Sequence, residues 1–290
     1  MSVNLSPNIA VLLAAYNGRQ WIEEQVNSIL FQKKVRVHLF ISVDLSSDGT
    51  YEWCKEFENK HSNVTVLEYG ELFGGAAKNF FRLIRDVDFS SYDFVAFSDQ
   101  DDIWLDNKLS HACKMITSKQ LDVYSSDVIA VWEDGREKLV KKSYPQKQFD
   151  YLFEAGGPGC TYVFRHDVLQ LFKCFLINNW SAVNQISLHD WMIYAFYRSQ
   201  GNTWYIDNQP LMYYRQHASN QVGFNFGLKA YFTRLMMSKW YRTEVEKIFN
   251  LTAPAVISLD RITLIKQFCQ LRRRPRDVVA LLIMLVVRVF

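Results

Sequence analysis

The sequence predicts an α/β fold: a mostly parallel sheet flanked by helices, followed by a helical C-terminal extension. Three observations lead there. Short apolar runs alternate with amphipathic segments through the first half of the 290-residue chain, the pattern of strand–helix–strand units. Polar side chains gather just after several of those runs, where open parallel sheets bind ligands. From about Phe224 onward the spacing turns helical, with basic and aromatic residues interleaved.

The elements follow in order. IAVLLAA (Ile9 to Ala15) is continuously apolar and reads as a buried strand. Gln20 to Phe31 carries Trp21, Ile22, Val26, Ile29 and Leu30 at helical spacing. VHLFISV (Val37 to Val43) predicts a second strand, Thr50 to Asn59 a helix and Val64 to Glu68 a third strand. Ala76 to Arg85 predicts another helix, and Tyr92 to Phe97 the fourth strand. The second half is less regular. Val123 to Trp132 reads as extended with a break at Ser126-Asp127. Gly156 to Gly159 reads as a loop, with a strand at Cys160 to Phe164. Asp190 to Arg198 predicts a helix, and Thr203 to Ile206 and Leu211 to Tyr214 short strands. The expected division is residues 1–223, in halves 1–105 and 106–223, followed by 224–290.

Composition narrows the class. Hydrophobic residues at 49% supply a substantial core, and a net charge of +3 excludes a nucleic-acid binder as a whole. The five cysteines show no CxxC spacing, so neither a zinc site nor a disulfide framework is expected, and reducing cytosol fits. The N-terminus lacks a basic n-region, and no apolar stretch reaches the ~18 residues of a membrane span.

The densest chemistry is SDQDDIW, Ser98 to Trp104, where Asp99, Asp101 and Asp102 crowd behind a strand. Carboxylates so placed repel one another, most where water is scarce. A divalent cation such as Mg²⁺ or Mn²⁺ answers that repulsion, because it takes a few carboxylates and leaves positions open for a diphosphate. A solvated acidic turn is the plain alternative. Phosphatases of the haloacid-dehalogenase type and prenyl-diphosphate synthases also use Asp-rich motifs. The position after the fourth strand and the α/β alternation disfavour both.

AAYNG (Ala14 to Gly18), SVDLSSDGT (Ser42 to Thr50), LFGGAAKNF (Leu72 to Phe80) and SDQDDIW resemble, in order and spacing, the family-2 glycosyltransferases of A-type (GT-A) fold. LHDW (Leu188 to Trp191) and YRQHASNQVG (Tyr214 to Gly223) are similar to a narrower group, the bacterial rhamnosyltransferase-like enzymes of surface-polysaccharide synthesis. The resemblance spans about Ile9 to Gly223. It implies an inverting enzyme that moves a sugar, with L-rhamnose from dTDP-β-L-rhamnose foremost, to a glycan carried on a polyprenyl diphosphate.

The resemblance also implies roles. Ala15, Tyr16 and Asn17 stand where the first loop meets the nucleotide. Asp44 matches the residue that accepts from the N3–H of the base. The stretch Val43-Asp44-Leu45-Ser46 departs from the family's usual Asp-Asp-Gly-Ser. Asp48 reads as a turn or helix-cap residue. Lys78 either steers the diphosphate or is a solvated lysine. Asp99 and Asp101 are the Asp-x-Asp pair around Gln100, and Asp102 orients the loop. Trp104 is a sugar platform or core. Asp190 takes the acceptor's proton as general base, or else is a helix-start aspartate. His189 and Trp191 flank it on the acceptor side. Arg215 offers a fork to phosphate, His217 an imidazole to the metal, and Gly157 a close backbone approach to the sugar or a plain turn.

In the tail, RRRPR (Arg272 to Arg276) precedes VVALLIMLVVRVF (Val278 to Phe290). A basic patch beside a short apolar helix suits the anionic surface of a membrane. The expectation is a cytoplasmic protein, peripheral at the inner face of the cell membrane. Helix packing within the protein is the alternative. A protein of the same fold that binds nucleotide-sugars or glycans without catalysis is the second functional reading, and the intact Asp99, Asp101 and Asp190 weigh against it.

Overall fold

The computed structural model describes residues 6–217, 238–252 and 257–290. Its first half follows the predicted alternation. β1 (Asn8–Ala15), α1 (Ile22–Leu30), β2 (Arg36–Val43), α2 (Thr50–Lys60), β3 (Val64–Val66), α3 (Ala76–Asp86) and β4 (Phe94–Asp99) succeed one another. β1 pairs in parallel with β2 and β4, and β2 with β3. The register sets Ala15 opposite Val43 and Ala14 opposite Asp99, so β1, β2 and β4 end together at one edge.

Next come β5 (Ile103–Trp104), α4 (Lys108–Lys119), β6 (Val123–Ser126), β7 (Val128–Trp132), β8 (Glu137–Val140) and β9 (Val163–Arg165). They are followed by α5 (His166–Asn178), α6 (Trp180–Val183), α7 (His189–Ser199), β10 (Trp204–Asp207) and β11 (Met212–Gln216). Among the described residues the main sheet has seven strands in the order β10-β6-β9-β4-β1-β2-β3, and a four-stranded sheet runs β5-β11-β7-β8. The main sheet is parallel except at β9, which runs antiparallel to β4 and β6. The break foreseen at Ser126-Asp127 is where the chain leaves the main sheet for the smaller one. The strand expected over Cys160 to Phe164 starts later. Thr161 donates from its N–H and its hydroxyl to the Pro158 carbonyl (3.0 and 2.7 Å), winding Gly159–Thr161 into a 3-10 turn.

Alternation along β1 divides the core. Ala10, Leu12 and Ala14 face one layer with α3, α5 and α7, while Ile9, Val11, Leu13 and Ala15 face another with α1, α2 and α4. The first layer continues into α8 (Ser238–Thr252), α9 (Arg261–Lys266) and α10 (Pro275–Val286) through Val245, Ile248, Leu264, Leu281 and Leu285. Tyr241 of α8 stacks on Trp191 of α7 with ring centroids 5.5 Å apart. Asn220, residues 224–237 and the expected boundary at 223 lie outside the described residues.

The tail corrects the expectation of an exposed basic patch. The Arg273 side chain is only 2% exposed and reaches Asp150 (3.6 Å) and Glu154 (3.4 Å), while Arg272 reaches Asp277 (3.4 Å). Arg274 donates to the Lys141 carbonyl, and Arg276 alone of the four lies largely in solvent. The buried carboxylate of Asp150 and the part-buried one of Glu154 attract the arginines inward, because burying such charge unpaired would be costly. Among the described residues no helix is long and apolar enough to cross a membrane.

A chain ending at Leu271 therefore loses more than a surface helix. It leaves Asp150, fully buried, with Arg198 (3.1 Å) as its remaining arginine. Breaking such buried pairs costs about 3–5 kcal/mol. Chemical denaturation should report a loss of at least that size, and a truncated chain as stable as the full one would contradict the inward role of Arg273.

Candidate active site

The crevice is built where β1, β2 and β4 end. After β1 the chain turns through Asn17 in a left-handed conformation (φ 45°). Gln100, just past β4, accepts from the Tyr16 N–H and returns its amide N–H to the Tyr16 carbonyl, both at 2.7 Å. A Cβ on Gly18 would collide with the Gln100 amide and push it out of this pairing. Ser46 and Thr50 accept from the N–H groups of Asn17 (3.0 Å) and Gly18 (2.9 Å). Asp48 accepts from the N–H groups of Arg19 (2.9 Å) and Thr50 (3.0 Å), the turn role its position suggested, while Gly49 is the residue at the cap of α2. Tyr16 projects half-exposed from this rigid loop.

Asp44 stands at the end of β2 with its carboxylate engaged by main-chain donors. It is 2% exposed, and its oxygens accept from the N–H groups of Leu45 (2.8 Å), Phe73 (2.8 Å) and Gly74 (2.9 Å). In this state Asp44 holds the 73–74 loop across the end of β2, and a base would share or displace those contacts. Lys78 is exposed in the first turn of α3. Next to it, buried Asn79 donates to the carbonyls of Ser42 (3.0 Å) and Ala15 (3.3 Å), fastening β1 to β2.

The carboxylates cluster as their spacing implied. Burial first, then the charges of Asp101 and Asp190, push Asp99 up to about 7. Burial, with Asp101 and Asp99, also pushes Asp102 upward. Ligand atoms of Asp99, Asp102 and Cys160 lie within 4.8 Å of one another. His217 Nε2 stands 2.7 Å from Asp101 Oδ2, its ring stacked on Trp21 at 3.9 Å. Arg215 donates to the Asp101 carbonyl (3.0 Å) and to Glu24 (2.6 Å), so it braces the acidic loop instead of pointing free into the crevice. Lys108 Nζ sits 3.5 Å from the centroid of the Trp104 ring, where burial lowers its pKa to about 8 against the pull of Cys160 and Asp102. Trp104 is 3% exposed beneath it, which makes it core and not a sugar platform.

Carboxylates with an adjacent imidazole suit a hard divalent cation. Asp99 and Asp102, whose ligand atoms lie close together, and the Asp101–His217 pair beside them are the side chains that could hold one. Burial keeps the Cys160 thiol protonated and so a poor ligand.

Helix α7 supplies the opposite wall. Asp190 lies in its first turn and accepts from the Trp191 N–H at 2.8 Å. Burial raises Asp190 to about 6, opposed by that N–H and by the charge of Lys142. His189 and Trp191 turn away from the acceptor side. The His189 ring stacks on Phe80 at 4.0 Å, and burial lowers its pKa to about 3, so it is neutral. The Trp191 indole donates to the Tyr151 carbonyl at 2.9 Å within the core. Gly159 presses so closely that a Cβ would collide with His189 Nε2. Gly157 has φ +138° and is needed by the turn itself; its carbonyl accepts from Tyr162 (3.2 Å).

Thus Asp99, Asp101, His217, Gln100, Tyr16 and Asp190 come to one crevice, while Trp104, His189 and Trp191 belong to the packing behind it. Lys142, Tyr214, Lys108 and Asn79 were not foreseen in their roles. Lys142 is set by Asp127, which accepts from the N–H groups of Lys142 (2.6 Å) and Ser143 (2.8 Å). Tyr214, on β11 and one residue before Arg215, is raised by burial, then by Cys160, Asp99, Asp102 and Asp101.

A strand-end loop, an Asp-x-Asp beside it and a part-buried carboxylate facing them have the layout of a GT-A-type glycosyltransferase site. The chain belongs to glycosyl transferase family 2, whose model matches residues 10–176. It is 46% identical over 289 residues to the dTDP-rhamnosyl transferase RfbG of Shigella flexneri, covering 96% of this chain and 100% of that protein. Among solved structures, S. aureus TarS 1–349 in complex with UDP-GlcNAc is similar in fold, with a TM-score of 0.57 at 17% identity. That match covers 97% of this chain and 82% of the other. The mannosyltransferase PcManGT from Pyrobaculum calidifontis, in complex with GDP-Man and Mn²⁺, matches with a TM-score of 0.54 at 14% identity, over 98% of this chain and 86% of that one.

The raised proton affinity of Asp99 gives a test. With a pKa of about 7 the carboxyl is part-protonated at neutral pH, and a ligating carboxylate must shed that proton. Mn²⁺ binding at pH 7 should release about half a proton per ion from this group, and affinity should rise with pH through about 7. Calorimetry in two buffers of different ionisation enthalpy measures the release. Identical heats would remove Asp99 from the ligand set.

Proposed function

We propose that the protein transfers L-rhamnose from dTDP-β-L-rhamnose to a hydroxyl of a polyprenyl-diphosphate-linked glycan in O-antigen or other surface-polysaccharide synthesis, by a single inverting displacement. The observation that carries this reading is Asp190, part-buried at the start of α7 and close enough to Asp99 for its charge to act on that carboxyl. The near full-length similarity to a dTDP-rhamnosyl transferase supports the choice of donor.

In this reading Ala15, Tyr16, Asn17, Gln100 and Asp44 frame the nucleotide. Lys78 stands on the helix beyond, free to approach the diphosphate. Asp99, Asp101 and His217 would hold Mg²⁺ or Mn²⁺, which offsets the charge of the departing diphosphate when bound. Asp190 accepts the acceptor's hydroxyl proton as that oxygen bonds to the anomeric carbon. The bond from that carbon to the diphosphate oxygen breaks, and dTDP leaves with the electron pair. No protein acid is needed at the leaving group.

The acceptor's lipid places the work at the cytoplasmic face of a membrane. In place of the buried arginines, the exposed stripe of α10 supports that contact. Val279, Ile283 and Val286 are 55%, 40% and 55% exposed on one helical face, with Arg276 at its start and Ile262 of α9 also exposed. Apolar burial with a basic flank suits an anionic bilayer surface.

Asp190→Asn cannot take the proton. Transfer should fall by about 10²–10⁴-fold while donor binding, followed by calorimetry, stays near that of the parent. Retained turnover under chemistry-limited conditions would reduce Asp190 to a helix-start residue. Nucleotide release with and without acceptor separates transfer from mere binding.

For the membrane, Val279→Ser combined with Ile283→Ser should abolish flotation with anionic liposomes at high salt. Flotation equal to the parent's would place the contact elsewhere.

A further inference from the structure

The RRRPR stretch is not absorbed by the function above, and its geometry leads back to the acceptor side. Asp190 and Tyr194 are four residues apart on α7, hence on one face. The segment from Phe153 to Gly159 lies along that face. A Cβ on Gly156 would stand 2.7 Å from the Tyr194 ring, and one on Gly159 would stand 3.2 Å from Asp190 Cβ. The Tyr162 hydroxyl touches both sides, with the Gly157 carbonyl at 3.2 Å and the Asp190 carbonyl at 3.3 Å.

Arg273 holds this segment against the helix. Its guanidinium donates to the Ala155 carbonyl and to the Tyr194 hydroxyl (3.2 Å), and its main-chain N–H donates to Glu154 (2.6 Å). Tyr194 in turn bonds to buried Asp150 (3.1 Å) and accepts from Arg198 (2.5 Å). Arg272 completes the junction by donating to the Phe153 carbonyl (2.8 Å).

We propose that Arg273 is a positioning residue for glycosyl transfer: it clamps the 153–159 segment onto the Asp190–Tyr194 face of α7, making the C-terminal helices part of the acceptor site. The proposal rests on Asp190 as the base. It explains why the arginines point inward, and it requires a planar fork, since one guanidinium serves a carbonyl, a hydroxyl and two carboxylates at once.

Arg273→Lys in the full chain keeps the charge and removes the fork. Tyr194→Phe removes only the hydroxyl and serves as a second variant should the first fold poorly. Rates are expressed per donor-binding site, counted by calorimetric titration with dTDP-rhamnose and Mn²⁺. The expected result is a donor KM within about twofold of the parent, a raised acceptor KM, and a kcat lower by about 10²-fold, as for a misplacement near 1 Å. The two substitutions share one network, so the double variant should lose little beyond Arg273→Lys alone. A role confined to stability would lower the melting temperature and leave kcat per site and acceptor KM unchanged, and that result would overturn the proposal. Its failure is separable from that of the base assignment. Full turnover in Asp190→Asn with impaired Arg273→Lys would keep the clamp and reassign the base.

Discussion

Crowded negative charge is the constraint on which the rest of this site depends. Asp99, Asp101, Asp102 and Asp190 share one partly dry region, where burial and then the charges of Asp101 and Asp190 make ionisation of Asp99 harder, and burial with Asp101 and Asp99 does the same to Asp102. The chain answers from several sides. Lys108 lies buried on the inner side over Trp104, His217 and Arg215 brace Asp101 from β11 and the residue after it, and Lys142 stands toward Asp190. The His217 imidazole lies directly against Asp101 (2.7 Å), and Arg215 reaches Glu24 (2.6 Å) as well as the Asp101 carbonyl.

That arrangement explains the architecture around it. Ends of parallel strands provide rigid loops with main-chain donors and acceptors, and here Gln100 and Asp48 use them to lock the strand ends to each other. β9, reversed between β4 and β6, carries the chain back from the crevice and leads into α5, whose apolar face closes the core under α7. The tail then packs behind α7 through Tyr241 and Arg273. The strand-end wall and the α7 wall are thus supported by different layers, one by β1, β2 and β4, the other by the C-terminal helices behind α7.

Much of this was legible in sequence where local periodicity decides structure. β1, β2, β4 and α1 to α3 are long, periodic and bounded by turn residues, and their ends shift by two residues or fewer. α4 and α5 were passed over although their patterns were present: Leu109, Ala112, Cys113 and Ile116 in one, Val168, Leu169, Phe172 and Leu176 in the other. What could not be read is orientation. Trp104 and Trp191 adjoin motif residues, yet their side chains leave the crevice because neighbouring positions on a strand or helix point apart. The inward turn of Arg272 and Arg273 depends on Asp150 and Glu154, which are distant in sequence and uninformative by themselves. Asp44 shows a subtler limit. Its type and position mark a base contact, whereas its partners in this state are the main-chain groups of the 73–74 loop.

The proton affinity of Asp190 follows from the same packing. A carboxylate at a helix start, meeting main-chain N–H groups and a nearby lysine, would ordinarily be a weak base. Burial outweighs those effects and raises it to about 6. Such a group is mostly ionised at neutral pH and still attracts a proton, the balance that general-base catalysis needs. Its cover comes from Gly159, which presses on the Asp190 Cβ, and that glycine ends the segment that Arg273 holds. On the proposed mechanism, the contact that would position the base also limits the water around it. Loosening the tail should weaken both properties together, because reactivity and placement at Asp190 have one structural origin.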